Sequence, residues 1–299
     1  MDMSMSRTTP YFRHPSTRLP FKSGFTLIEL LVVIGIIAIL AALLLPALDK
    51  AKFKAQGLQC LSSHRQLCLA WRMWSDDNGD QLLFASEDPY NPATTAGAWI
   101  TGTLNFNPAN QSNWDPALTI EQSPMWPYCG NSLAIWKCPA DTSFVLVNGQ
   151  PKDRVRSMSM NVYLGGWGGT YGNWDLVMGP VWSNFKIYRK QSDLINPGPS
   201  SLFVFLDMRQ DSIDMGNFGT DMAGWPNQPA NYGFFDLPGL YHHLACGFSF
   251  ADGHSEMRRW RDGRTMPPLV PEGYVNDWFA SPDNPDVAWL QERATRPKQ

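Results

Sequence analysis

Three histidines and four aspartates in the C-terminal third have side chains that could do chemistry: His242, His243 and His254 with Asp207, Asp211, Asp214 and Asp252. Imidazoles and carboxylates brought together can form an acid–base pair or hold a metal ion. Their spacing argues against the well-defined versions of that chemistry. Asp207, Asp211 and Asp214 lack the ligand positions and the glycine of an EF-hand loop. The chain has no phosphate-binding glycine loop, nucleophile elbow or metalloprotease helix. Asp252-Gly253 lies between two strand-like runs, CGFSFA (246–251) and HSEMRRW (254–260), which makes it a two-residue hairpin link and Asp252 a turn residue. No catalytic residue is expected, and no enzyme.

Five cysteines offer a second chemistry: Cys60, Cys68, Cys129, Cys138 and Cys246. None forms a CxxC pair and no histidine stands at zinc-ligand spacing from them, so a structural zinc site is disfavoured and no metal ligand is assigned. In an exported domain some would form disulfides, with one thiol left over. Cys60 and Cys68 cannot bridge each other, because eight residues along one helix rise about 12 Å.

The elements that must position these groups begin with an unusual N-terminus. Residues 1–24 are polar, with four Lys or Arg against one acid, and Pro10, Pro15 and Pro20 exclude a long helix. From Leu30 to Leu48 no residue is charged. Nineteen helical residues span about 28 Å, close to the ~30 Å core of a bilayer. An ordinary secretory signal would have a shorter apolar run and a small-residue cleavage site after it. Here a helix-prone segment follows, and Asp76-Asp77-Asn78-Gly79 supplies a stop. One helix is expected from about Phe25 to Asp77, with Ala51, Ala55, Leu58 and Leu61 as its apolar stripe and Trp71, Met73 and Trp74 in the core. Glu29 is a lone carboxylate in the membrane segment, a position that is functional by default. Pro46 should kink or break the helix.

Lys22-Ser23-Gly24 followed by Phe25-Thr26-Leu27-Ile28-Glu29 resembles the prepilin peptidase site of type IV pilins and type II secretion pseudopilins. The resemblance implies a cut after Gly24, N-methylation of Phe25, and retention of the apolar helix for polymerisation. It implies that Glu29 meets the terminal amine of a neighbouring subunit, and that the helix loosens at Pro46 during assembly. The implied partners are prepilin peptidase, other pseudopilin subunits, an inner-membrane secretion platform and the membrane. The implied location is the inner membrane, single-pass, with the head in the periplasm or outside the cell. Some relatives bind calcium in C-terminal loops, so calcium is the one cofactor left open. His242, nine residues, then Asp252-Gly253 resembles the H-x9-D-G signature of a large group of prepilin-type proteins, to which no activity is attached. CLSSHRQLCLAW, KCPAD, RSMSMN, FVFLD and FADGH agree with that group, although its usual CxxNL pattern is altered at Cys60-Leu61-Ser62-Ser63-His64. Because Cys60 and Cys138 lie in these pieces, they are the preferred disulfide. Such a bridge closes a loop of about 80 residues, worth roughly 4–5 kcal/mol in the chain-entropy model. Cys129 with Cys138 is the alternative.

The expected fold is α+β: a long N-terminal membrane helix continuing as a stalk under a loop-rich antiparallel β-sheet head. Its parts are a leader (1–24), a transmembrane assembly helix (25–48), a stalk (49–79) and an extracytoplasmic head (80–299). Strand signals fall at 156–165, 200–207, 246–251 and 254–260. A net charge of −3 gives no reason to expect nucleic acid. The expected function is a structural pseudopilin or minor pilin subunit. The alternative is a pilin-anchored binding module for a glycan or protein, suggested by GGWGGTYGNWD (165–175) and the large head.

Overall fold

The computed structural model describes residues 26–88, 90–170, 182–271, 273, 275 and 278–298. Its first element, α1, runs Leu27–Asp77 without interruption. Pro46 lies inside it and does not end it, so of the two expected effects a break does not occur. The stop is where Asp76 to Gly79 placed it. Gly79 takes φ +65°, and Asp80 donates its N–H to the Ser75 carbonyl at 3.0 Å, the long-range bond of a Schellman motif.

The chain divides into two compact units between Asp49 and Lys50. In the first, every described residue is exposed except the half-buried Ala41, although Leu30 to Leu48 is wholly apolar or small. Among the described residues this is the helix long and apolar enough to cross a membrane. Nothing in its own unit covers those side chains, so a bilayer or neighbouring helices must.

The second unit includes the rest of α1. Its buried face carries Cys60, His64, Leu67, Cys68 and Trp71, at spacings of three and four. The expected stripe is therefore one face off, and Leu58 is 70% exposed. Met73 is likewise exposed while Trp71 is buried. Serine and histidine look polar in a sequence, yet Ser63 and His64 are buried here, and the serine and the cysteines of this face find partners inside. Ser63 Oγ donates to the Gln59 carbonyl and Cys68 Sγ to the Phe250 carbonyl.

A five-stranded sheet packs against this face. Its strands are β3 (Met158–Asn161), β4 (Phe203–Asp207), β5 (Asn217–Phe218), β7 (Ala245–Phe250) and β8 (Ser255–Arg259), in the order β5-β3-β4-β7-β8. All pairings are antiparallel except β3–β5. The four strand signals of the sequence are β3, β4, β7 and β8. Two small antiparallel pairs complete the head: β1 (Phe144–Val147) with β2 (Gln150–Asp153), and β6 (Gly233–Phe234) with β9 (Phe279–Ala280). The β1–β2 hairpin turns on Asn148-Gly149, both at positive φ, an Asn-Gly signal that marks a strand pair beyond the four expected runs. A short helix, α2 (Pro285–Ala294), starts at Asn284, whose side chain accepts the Asp286 N–H. Single-turn helices and loops fill 92–135.

The core lies on both sides of β4. Val204 and Phe205 join α1 in one cluster, while Phe203 and Leu206 join Phe248 and α2 in the other. Two consecutive residues share a side because β4 carries a register shift between Phe203 and Phe205. That irregularity changes the alternation for the rest of the strand. Asp207 consequently lies on the α1 side.

Candidate functional site

Two places could carry function. The first is the start of α1. Thr26 donates both its N–H and its hydroxyl to Glu29 Oε2, at 2.9 and 2.8 Å, and Glu29 donates its N–H back to Thr26 Oγ1 at 3.2 Å. This is a capping box, which satisfies two N-terminal donors of the helix reciprocally. The T-x-x-E spacing was available in the sequence, but Glu29 was read only as an assembly residue. Gly24 and Phe25 lie outside the described residues.

The second place is a buried cluster in the head. Cys60 of α1, Cys138 of the KCPAD turn, Asp207 at the end of β4 and His242 of the loop before β7 meet there. One donor atom from each lies within 4.8 Å of all the others. Cys60 and Asp207 are fully buried, Cys138 is 1% exposed and His242 8%. Cys60 Sγ donates to Asp207 Oδ2 at 3.0 Å, and Cys138 Sγ lies 3.1 Å from His242 Nε2. Cys60 and Cys138 both stand as free thiols, not as a bridge.

The surroundings hold this arrangement tightly. His64, one helical turn after Cys60, places Nε2 3.4 Å from Asp207 Oδ2. Gly247 N–H donates to the same oxygen at 3.2 Å. Ser157 Oγ accepts the Cys138 N–H at 2.7 Å and lies 3.5 Å from Asp207 Oδ1. His242 precedes two non-glycine residues in the left-handed region, His243 at φ +53° and Leu244 at φ +62°. Consecutive residues of that kind cost energy and persist only where the fold imposes them.

The electrostatics follow from burial and these contacts. The hydrogen bond with Cys138 raises the Cys60 thiol far above its ordinary value, and burial adds to it. Burial would raise Asp207, but the His64 imidazole and the Cys60 hydrogen bond outweigh it and hold the carboxyl below its usual range. Burial lowers His242, opposed by Asp207. The group at rest is therefore two thiols, an imidazole and a carboxylate.

Other candidate residues have plainer roles. Asp252 and Gly253 form the β7–β8 turn, at the far end of β7 from His242. The Phe250 N–H donates to the His254 carbonyl and the Gly253 N–H to the Phe250 carbonyl, so the loop is Ala251 to Gly253. It has three residues, not the expected two, with Gly253 at φ +97°. Asp252 pairs with His254 in solvent at 2.6 Å. Asp211 is locked to Arg209, and His243 packs against Phe53 with the rings tilted by 56° and their centroids 4.4 Å apart. Trp167 of the GGWGG run is buried and donates to Asn217 Oδ1, while Trp174 lies outside the described residues.

Residues 20–45 match the family model described as the prokaryotic N-terminal methylation motif. The long apolar helix begins within this segment, and the two together make the chain type IV pilin-like at its N-terminus. The motif implies processing by prepilin peptidase and assembly with other pilin-type subunits. No curated protein and no solved structure matches the chain.

Proposed function

We propose that the chain is a structural subunit, a pseudopilin or minor pilin, of a type II secretion or type IV pilus-like machine. It is cut after Gly24, methylated at Phe25 and polymerised through its N-terminal helix. It sits in the inner membrane in a single pass, with the head in the periplasm or outside the cell. The observation that carries this reading is the methylation motif over the start of an apolar helix whose side chains its own unit leaves uncovered. The head contributes shape and contacts and does no chemistry on a substrate. Mass spectrometry of the chain from its native membrane tests the reading. The expected mature terminus is N-methyl-Phe25. A terminus after Ala47 or later, with the apolar run removed, would refute it and leave a simple exported protein.

A further inference from the structure

We propose that Cys60, Cys138, Asp207 and His242 bind a single divalent cation of the zinc class, which ties α1, the KCPAD turn, β4 and the loop before β7 together at one point. The inference rests on donor chemistry and geometry in the head and is independent of the function of the N-terminal helix. Two thiols, an imidazole and a carboxylate suit zinc and its neighbours among the transition metals. They do not suit calcium or magnesium, which take oxygen ligands.

The distances are those of a site close to formed. Zinc bonds of about 2.3 Å to sulfur and 2.0–2.1 Å to nitrogen put neighbouring donors of a tetrahedron roughly 3.3–3.8 Å apart. Here two pairs stand at 3.0 and 3.1 Å, and all four donors lie within 4.8 Å. Small side-chain rotations close the difference. The outer contacts are of the kind that orient ligands: His64 and the Gly247 N–H on Asp207, and Ser157 on the Cys138 backbone. His64 is itself fully buried, and its ring nitrogens have no hydrogen-bond partner beyond the 3.4 Å approach to Asp207. Position 247 has to be glycine for this packing, since a Cβ there would lie 2.7 Å from His64 Nε2. His242 also lines a groove of ≈ 530 Å³ with Phe53, Leu58 and Met257, on the side away from the other three ligands.

Charge is conserved in the exchange. The incoming M²⁺ forms bonds to the two sulfurs, the imidazole nitrogen and the carboxylate oxygen. The two S–H bonds break and their protons leave to solvent. The buried cluster thus keeps the same net charge, and no unpaired charge is introduced into the core.

The test uses the full chain in detergent, reduced and stripped with a chelator, then titrated with Co²⁺ alone. About one equivalent should bind, with the visible absorption of a tetrahedral ion and a near-ultraviolet thiolate-to-cobalt band, and Zn²⁺ should bleach both. About two protons should be released per ion at neutral pH. His64→Gln should weaken binding by about 10–100-fold, and Cys60→Ser or Cys138→Ser by more. Cys129→Ser should leave the titration unchanged. If the cysteine variants fail to fold, the wild-type titration and native mass spectrometry for one bound zinc decide the matter. The proposal is overturned if the reduced wild-type chain takes up no cobalt or gives no thiolate band. A Cys60–Cys138 disulfide in the chain isolated without reductant, with no uptake after reduction, overturns it equally.

Discussion

Thr26 and Glu29 cap the start of α1 reciprocally, each donating a backbone N–H to the other's side-chain oxygen. Glu29 thus has a local task within its own chain, beside the charge pairing that assembly would require. Glutamine can replace it in a capping box but carries no charge. Glu29→Gln should be processed and inserted like the wild type yet join a polymer poorly, because the Phe25 amine of a neighbour loses its counter-charge. Glu29→Ala should show the same defect with a frayed first turn. Mass spectrometry reads processing, and filament or secretion yield reads assembly. Normal assembly of Glu29→Gln with failure of Glu29→Ala would assign Glu29 to capping alone.

Gly247 lies in β7 opposite Met257, under His64 and Asp207. A methyl group there would stand 2.7 Å from His64 Nε2 and 3.0 Å from Asp207 Oδ2. Gly247→Ala should destabilise the head by about 1–3 kcal/mol, lowering its melting temperature by roughly 2–12 °C. Gly263 has no atom within 4 Å of its would-be Cβ, so Gly263→Ala serves as the control. Equal melting of the two variants would mean that β7 shifts freely to admit the methyl.

Asp236 is buried, and burial, reinforced by the charge of Asp214, raises its carboxyl well above the ordinary value. The folded chain keeps this proton at a pH where the unfolded chain has lost it. The unfolded state therefore binds fewer protons, and this group's contribution to stability falls as pH rises above about 3.9, by up to about 1.4 kcal/mol per unit. It stops falling once the folded-state carboxyl ionises. Asp236→Asn keeps an acceptor for the Gly219 N–H without the charge. Its melting temperature relative to wild type should climb between acidic and neutral pH. A difference independent of pH would show that Asp236 does not titrate in this way.

Much of the architecture is legible from local signals. The Leu30–Leu48 run, the stop at Gly79, and the strands around 158, 203, 245 and 255 all follow from composition, capping and short periodicity. These act over a few residues, so a sequence displays them directly. The structure departs from the sequence's signals where a neighbouring possibility has the same local signature. The stripe Ala51, Ala55, Leu58 and Leu61 and the buried face differ because an alanine and leucine spacing looks the same whether or not a sheet covers it, while the buried face is carried by Cys60, His64, Leu67, Cys68 and Trp71. The β7–β8 loop is one residue longer than its Asp-Gly signal implies, because Asp-Gly serves two- and three-residue turns alike.

The N-terminal segment is determined by the sequence itself: KSGFTLIE and an uninterrupted apolar run carry the methylation motif and a membrane-length helix with little reference to the rest of the chain. The head's cluster could be decided only by the tertiary structure. His242 and Asp207 stood among the sequence candidates, but nothing local joined them to Cys60 and Cys138. Those four positions lie tens of residues apart, on a helix, a turn, a strand end and a loop. They meet because α1 buries one face, because the irregularity in β4 turns Asp207 toward that face, and because the left-handed backbone at His243 and Leu244 follows His242 where it enters the cluster. Each of those causes is a packing decision between distant segments, and no spacing along the chain encodes it.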